Sequence, residues 1–250
     1  MAILKTEAVI LSIMPQGETS KIVRTFTKDY GRISFIAKGS RKLKNRFGGS
    51  LDQLNHVKII YYDKENRDLQ IATQCDIINS FPDLKSDLEK LSFGFAIVEV
   101  IVSLVVEEET NAHLFDLLIK TLNVLENSDK NYDNIYWYFL IRFLRQSGFG
   151  LSLGDCLRCS RKIENETAFF SIAEGGLICN SCSDAKTFYF KIAADTLQII
   201  RIIEKKEPEK FQNLRISQNT KRDLNKLFDD YFRYHFEGYD APQAVKLLMT

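Results

Sequence analysis

The sequence predicts an α+β protein in which an N-terminal five-stranded β-barrel precedes a mainly α-helical domain with an inserted four-cysteine zinc ribbon. Three observations predict it. Residues 1–80 hold short β-branched or alternating runs separated by turn residues, with no helical period. From Pro82 onward, apolar residues recur at three- and four-residue spacing. That helical pattern is broken once, by Cys156-Leu-Arg-Cys159 and Cys179-Asn-Ser-Cys182, two C-x2-C knuckles nineteen residues apart. The expected organisation is a barrel over 1–81 and helices over 82–250, with the ribbon inserted over 154–186.

The strands follow in order. Ala8-Val9-Ile10-Leu11 is a β-branched run ending near Pro15 and Gly17. Lys21–Thr27 is the second run, and Asp29-Tyr30-Gly31 turns the chain into a return strand over Arg32–Ala37. Val57–Tyr62 is the fourth. Leu69, Ile71, Thr73 and Cys75 alternate with polar Gln70 and Gln74, the pattern of a half-buried strand that takes Cys75 into the core. Five strands in so short a span suit a small barrel such as an OB-fold. A five-stranded SH3-like barrel leaves the same trace, so the pattern does not decide topology.

Between the third and fourth strands lies Lys38-Gly-Ser-Arg-Lys-Leu-Lys-Asn-Arg-Phe-Gly-Gly49, with cations at Lys38, Arg41, Lys42, Lys44 and Arg46 and no acid. Such a loop can lay cations along a phosphate backbone without reading bases. Phe47 offers a stacking face, and Lys21 and Arg24 on the adjoining strand extend the surface. The solvated-loop reading stands beside this one, because charge runs are common on surfaces. The asymmetry of charge favours the first: residues 1–80 carry a net +5 and the remainder a net −4.

The helices come next. Leu84–Val106 carries Leu88, Leu91, Phe95, Val98 and Val102 on one side. Thr110 or Asn111 caps a helix running to about Glu126. A third spans Ile135–Gln146 and stops at Ser147-Gly148; its Tyr136, Trp137, Tyr138, Phe139 and Phe143 are expected to pack a core. Further helices are expected over Ala193–Lys205, from Ser217 or Thr220 to Phe236, and over Ala241–Met249.

Two C-x2-C turns each aim a pair of sulfurs at one point, and together they suit one Zn2+ held by Cys156, Cys159, Cys179 and Cys182. Four thiolates leave no open position, which favours a structural ion over a catalytic one. Between the knuckles, Ala168–Ile172 and Leu177-Ile178 flank Ala173-Glu-Gly-Gly176 as a hairpin. Two disulfides are the alternative. The start of the chain has Lys5 and Glu7 inside its only apolar stretch and does not read as a signal peptide, and Phe93–Val106 is too short to span a bilayer. The expectation is a cytoplasmic protein with reduced thiols.

The sequence holds no Walker A loop, G-x-G-x-x-G, H-E-x-x-H or G-x-S-x-G. His56, His113 and His235 stand without ligand or triad spacing, and Glu107-Glu-Glu109 reads as a solvated helix end. Nothing here supports nucleotide hydrolysis.

Taken together, Glu18–Phe26, Tyr30-Gly-Arg32, Ala37-Lys-Gly-Ser-Arg-Lys42, Arg46-Phe-Gly48, Gly150-Leu151 before the first knuckle and Gly175-Gly-Leu-Ile-Cys179 resemble the RecO family of bacterial recombination mediators. The resemblance runs over the order of barrel, helices, ribbon and helices; beyond Ser183 no motif carries it. It implies an OB-fold that binds single- and double-stranded DNA through the loop Lys38, Arg41, Lys42, Lys44, Arg46, a mainly helical domain, annealing of complementary strands and no enzymatic turnover. It also implies work with RecR and the C-terminal tail of single-stranded DNA-binding protein to help RecA load, with association to the nucleoid during repair. A zinc-stabilised adaptor that binds only proteins is the competing class, and a metal hydrolase with an open zinc position is the third.

Overall fold

The structure, a computed structural model, describes residues 2–64, 67–106, 109–164, 166–184, 187–211 and 213–244. The chain forms two compact units. One runs to Asn127 and takes in the chain from Pro242; the other is Ser128–Ala241.

The first unit is built on five strands, β1 (Ala2–Gln16), β2 (Ser20–Thr27), β3 (Gly31–Ala37), β4 (His56–Asp63) and β5 (Leu69–Asn79). They close in the order β1-β2-β3-β5-β4. Closure depends on the length of β1. Its far half pairs with β2 over Ala8–Gln16 and its near half with β4 over Ala2–Val9, with a bulge between Ile10 and Ser12 where the strand bends from one partner to the other. β3 and β5 run parallel, with Ser34 opposite Leu69. That contact is the OB-fold arrangement and decides between the two barrels the pattern left open.

The inside is filled by Ala8, Ile10, Val23, Phe35, Val57, Ile59, Tyr61 and Ala72, with Cys75 buried among them as expected. Burial pushes the Cys75 thiol up to about 11, which marks it as an inert core residue. The β2–β3 turn is fixed at Thr27, whose hydroxyl donates to the carbonyl of Gly31 at 2.8 Å and accepts the N–H of Tyr30 at 3.1 Å; Gly31 takes φ 67° there.

The helix expected over Leu84–Val106 is two: α1 (Pro82–Ser86) and α2 (Leu88–Leu104), parted at Asp87. The Asp87 carboxylate accepts the N–H groups of Glu89 and Lys90 and starts the second helix afresh. α3 (Ala112–Glu126) is capped by Asn111, which accepts from Leu114 N–H at 2.9 Å. These helices pack on the barrel. Phe115 covers Phe26 at 6.0 Å and His56 at 5.9 Å between ring centroids, and Lys28 pairs with Asp116. Arg32 on β3 donates to the carbonyls of Val102 and Val105 at the end of α2, placing a cation where the helix carries its negative partial charge. The border expected after residue 81 parts strands from helices but lies within this unit.

The second unit holds α4 (Tyr132–Gln146), a short sheet, α5 (Ala194–Lys205), a single 3-10 turn (Pro208–Lys210) and α6 (Gln218–His235). The aromatic face of α4 is core as expected: Tyr136, Trp137, Tyr138, Phe139 and Phe143 are all buried. Trp137 Nε1–H donates to Asn225 Oδ1 on α6 at 2.8 Å, and Phe143 stacks on Phe232. Ser217 caps α6 through Thr220 N–H. The expected hairpin is present as β6 (Ala168–Ser171) and β7 (Gly176–Ile178), but the sheet has a third strand, β8 (Phe190–Ile192), so the order is β7-β6-β8. The helix expected over Ala241–Met249 falls largely outside the described residues, as do Glu107 and Glu108. Among the described residues no helix is long and apolar enough to cross a membrane.

Candidate nucleic-acid interface and metal centre

The basic loop leaves β3 at Lys38 and returns to β4 at His56, and it is firmly built. At its base, Ser40 Oγ donates to the Ala37 carbonyl at 2.8 Å. Arg41 is fastened twice to the β1–β2 turn, its N–H to the Thr19 carbonyl at 2.9 Å and its guanidinium to the Gly17 carbonyl at 2.8 Å. Asn45 closes the apex: Nδ2 donates to the Lys42 carbonyl, while Oδ1 accepts the N–H groups of Phe47 and Gly48, each at 2.9 Å. Further along, Asn55 Nδ2 donates to the carbonyls of Gly49 and Ser50.

Phe47 is no stacking platform. It is 3 % exposed and belongs to the barrel core. The residue that reads as an aromatic hook in the sequence is the plug that anchors the loop, and Arg46 lies over its ring at 5.1 Å while reaching the Ala72 carbonyl.

The predicted cations therefore divide. Lys38, Lys42 and Lys44 project from the loop with no side-chain partner among the described residues, whereas Arg41 and Arg46 are exposed yet bound to backbone. The two strand residues do not share a face. Lys21 stands opposite Ala37 and has the parity of the core residue Val23, so it sits at the barrel end. Arg24, opposite Ser34, has the other parity and lines an outer groove of about 570 Å³ with Arg32, Lys64 and Arg67. A shallower concavity joins Lys38 to Arg67 across Ile36, Leu69 and Ile71. Lys64 and Arg67, in the β4–β5 connection, are the cations that sequence reasoning passed over. Asp63 and Asp68 beside them hid the signal by cancelling the local charge.

The four cysteines come together in the second unit. Their sulfurs all lie within 4.8 Å of one another, and Cys159 Sγ is 3.8 Å from Cys179 Sγ. Zinc–sulfur bonds of about 2.3 Å in a tetrahedron give an edge of about 3.8 Å. Each knuckle is a tight turn: Ser160 N–H donates to the Cys156 carbonyl with Ser160 at φ 57°, and the N–H groups of Cys182 and Ser183 both donate to the Cys179 carbonyl. Cys156 Sγ accepts the N–H groups of Arg158 and Cys179, each at 3.4 Å. Burial opposes ionisation of Cys156, but these backbone donors outweigh it and hold the thiol down to about 6. Cys182, hydrogen-bonded to Cys159 and Cys179, is pushed up to about 12. Four thiolates this close cannot all ionise side by side without a cation. The donor set and its geometry thus fit one tetrahedral divalent ion and are compatible with zinc. No disulfide joins these sulfurs.

The histidines take no part in it. His56 is buried, 3.0 Å from Glu7 Oε2. His235 Nε2 lies 2.8 Å from the Ile172 carbonyl, and His113 is exposed on α3.

The fold and site define an OB-barrel protein with a cationic loop and, in its second unit, a four-cysteine ribbon able to hold a metal. The chain belongs to the recombination protein O family: its N-terminal family model matches residues 1–81 and its C-terminal model residues 85–241. Curated relatives extend over most of the chain. It is 28% identical over 235 residues to the DNA repair protein RecO of Alkaliphilus metalliredigens, covering 94% of both chains. It is 28% identical to that of Clostridium novyi, covering 99% of this chain and 94% of the relative, and 33% identical over 181 residues to that of Desulfatibacillum aliphaticivorans, covering 71% and 70%.

Proposed function

We propose that this chain is a non-enzymatic recombination mediator in DNA repair, which binds single- and double-stranded DNA without sequence preference and anneals complementary strands. The observation that carries the reading is the trio Lys38, Lys42 and Lys44, exposed on a braced loop of an OB-barrel with no side-chain partner among the described residues, in a chain of the recombination protein O family. Contacts from such cations go to phosphate, release counterions and carry no base information. Arg24, Lys64 and Arg67 on the outer face extend the path along the barrel, while Arg41 and Arg46 hold the loop in shape and add charge. Lys21 contributes at the barrel end.

Four cysteinates around one Zn2+ leave no position for water or substrate, so the ion serves the ribbon's stability and not catalysis. The partners in this reading are RecR, the C-terminal tail of single-stranded DNA-binding protein and, indirectly, RecA, in a cytoplasm where the protein meets the nucleoid during repair.

The test is strand annealing with complementary oligonucleotides coated by single-stranded DNA-binding protein. The full chain should speed annealing over the uncatalysed rate, and the Lys38→Ala/Lys42→Ala/Lys44→Ala variant should lose most of that gain. A gel shift at low salt with no complex on either single or double strands would refute the reading and favour a protein-only adaptor.

A further inference from the structure

At the apex of the basic loop, between Lys42 and Lys44, stands Leu43, at 106% relative exposure. Among the described residues no other large apolar side chain is as open; the next are Leu88 at 78% and Phe188 at 76%. Among the described residues Leu43 packs on nothing, so its side chain adds little to folding. Single exposed leucines are ordinary on protein surfaces, but this one is presented. Lys42 N–H donates to the Gly39 carbonyl and Asn45 Nδ2 to the Lys42 carbonyl, so the turn that lifts Leu43 is held on both sides. Behind it Phe47 is sunk in the barrel core and Arg41 is tied to the β1–β2 turn. A braced apex pays little entropy when it meets a ligand.

We propose that Leu43 is a wedge that enters between adjacent bases of a single strand while Lys42 and Lys44 hold the phosphates on either side. The neighbouring cations fix the chemistry of the ligand. Two residues of chain span at most about 7 Å, so the ammonium groups can grip neighbouring phosphates, and the leucine between them then faces the bases those phosphates carry. Apolar side chains inserted at base steps part them against the stacking of a duplex. A single strand stacks less firmly and opens more readily. Bases held apart in this way keep their pairing edges free for a complementary strand. The wedge rests on the DNA-binding reading above and adds to it a contact with bases that electrostatics does not supply.

The experiment uses the full chain and an oligonucleotide carrying 2-aminopurine, whose fluorescence rises when the base unstacks. Wild type and Leu43→Met should raise the fluorescence on binding; Leu43→Ala should not, and should bind about 5-fold more weakly, the loss expected for a modest apolar contact. Its salt dependence should match wild type, because no charge is changed, and so should its melting temperature, because the side chain is free in the folded protein. If Leu43→Ala binds and unstacks like wild type while the triple lysine variant loses affinity, the wedge is refuted and the DNA-binding reading stands. If the triple variant also binds like wild type, both fall. A Leu43→Ala defect on anionic lipid vesicles with none on oligonucleotides likewise refutes the wedge.

Discussion

Replacing Lys38, Lys42 and Lys44 together by alanine should change how DNA affinity depends on salt more than it changes anything else. These ammonium groups have no side-chain partner among the described residues, and their residues are exposed. Removing them breaks no side-chain hydrogen bond or ion pair among the described residues, and the melting temperature should hold. On DNA, each phosphate contact contributes about 0.9 to the slope of log affinity against log salt for duplex and about 0.7 for single strands. Three lost contacts should therefore make the slope shallower by about 2.7 and about 2.1 respectively. At 0.1 M salt the same arithmetic predicts a loss of roughly 100- to 500-fold in affinity. Fluorescence anisotropy titrations of labelled oligonucleotides from about 50 to 300 mM NaCl cover the range in which these slopes are read. A weaker variant with an unchanged slope would mean that the lysines act by shaping the loop and not by meeting phosphate. An unchanged affinity and slope would remove the loop from the interface.

Four further outcomes follow from the same structure. Phe47→Ala should lower stability by about 3–5 kcal/mol in urea unfolding, as expected for emptying a buried phenyl site, and a variant of wild-type stability would show that Phe47 is not the loop's anchor. Metal analysis should find about one zinc per chain, and Cys179→Ser or a strong chelator should release it and lower the melting temperature; a metal-free chain with the same transition would contradict the ribbon reading. Gly176→Ala should destabilise the second unit, since a Cβ there would lie 2.7 Å from Ser152 Cβ and 2.8 Å from Leu157 Cδ1; a neutral substitution would mean that the knuckle gives way more easily than its packing implies. Burial lowers the pKa of His56 from 6.5, against the opposing hydrogen bond to Glu7. The unfolded chain therefore binds the proton more readily, and the stability His56 lends is complete above pH 6.5 and lost as pH falls below it. His56→Gln should flatten that part of the stability–pH curve, and an unaltered curve would assign the acid sensitivity elsewhere.

What the residues disclosed and what they withheld divide along one physical line, the range of the interaction. The cysteine knuckles, the caps at Asn111 and Ser217 and the turn at Gly31 are decided within a few residues, and each was legible. The closing of the barrel was not. It depends on β1 running fifteen residues and on β3 meeting β5 in parallel, and neither pairing leaves a local trace. β8 escaped for the same reason: Phe190–Ile192 becomes a strand by lying against β6. In the candidate site, the run of lysines and arginines was plain. Which of them are free and which are fastened to carbonyls depends on contacts from Gly17, Thr19 and Ala72, so Arg41 and Lys42 look alike in sequence and differ in the fold. Phe47 misled because an aromatic among cations reads equally well as a base platform or a buried plug.

The cover that α3 places over the barrel bears on how this protein can be taken apart. Phe26 and Phe115 shield each other, and the C-terminal carbonyls of α2 rest on Arg32. A fragment ending where the strands end would bare an oily flank and strand a guanidinium, and should clump or melt early. Scissors belong after Asn127, where the barrel keeps its roof of α2 and α3 and parts only from the stretch starting at Pro242 that completes its unit.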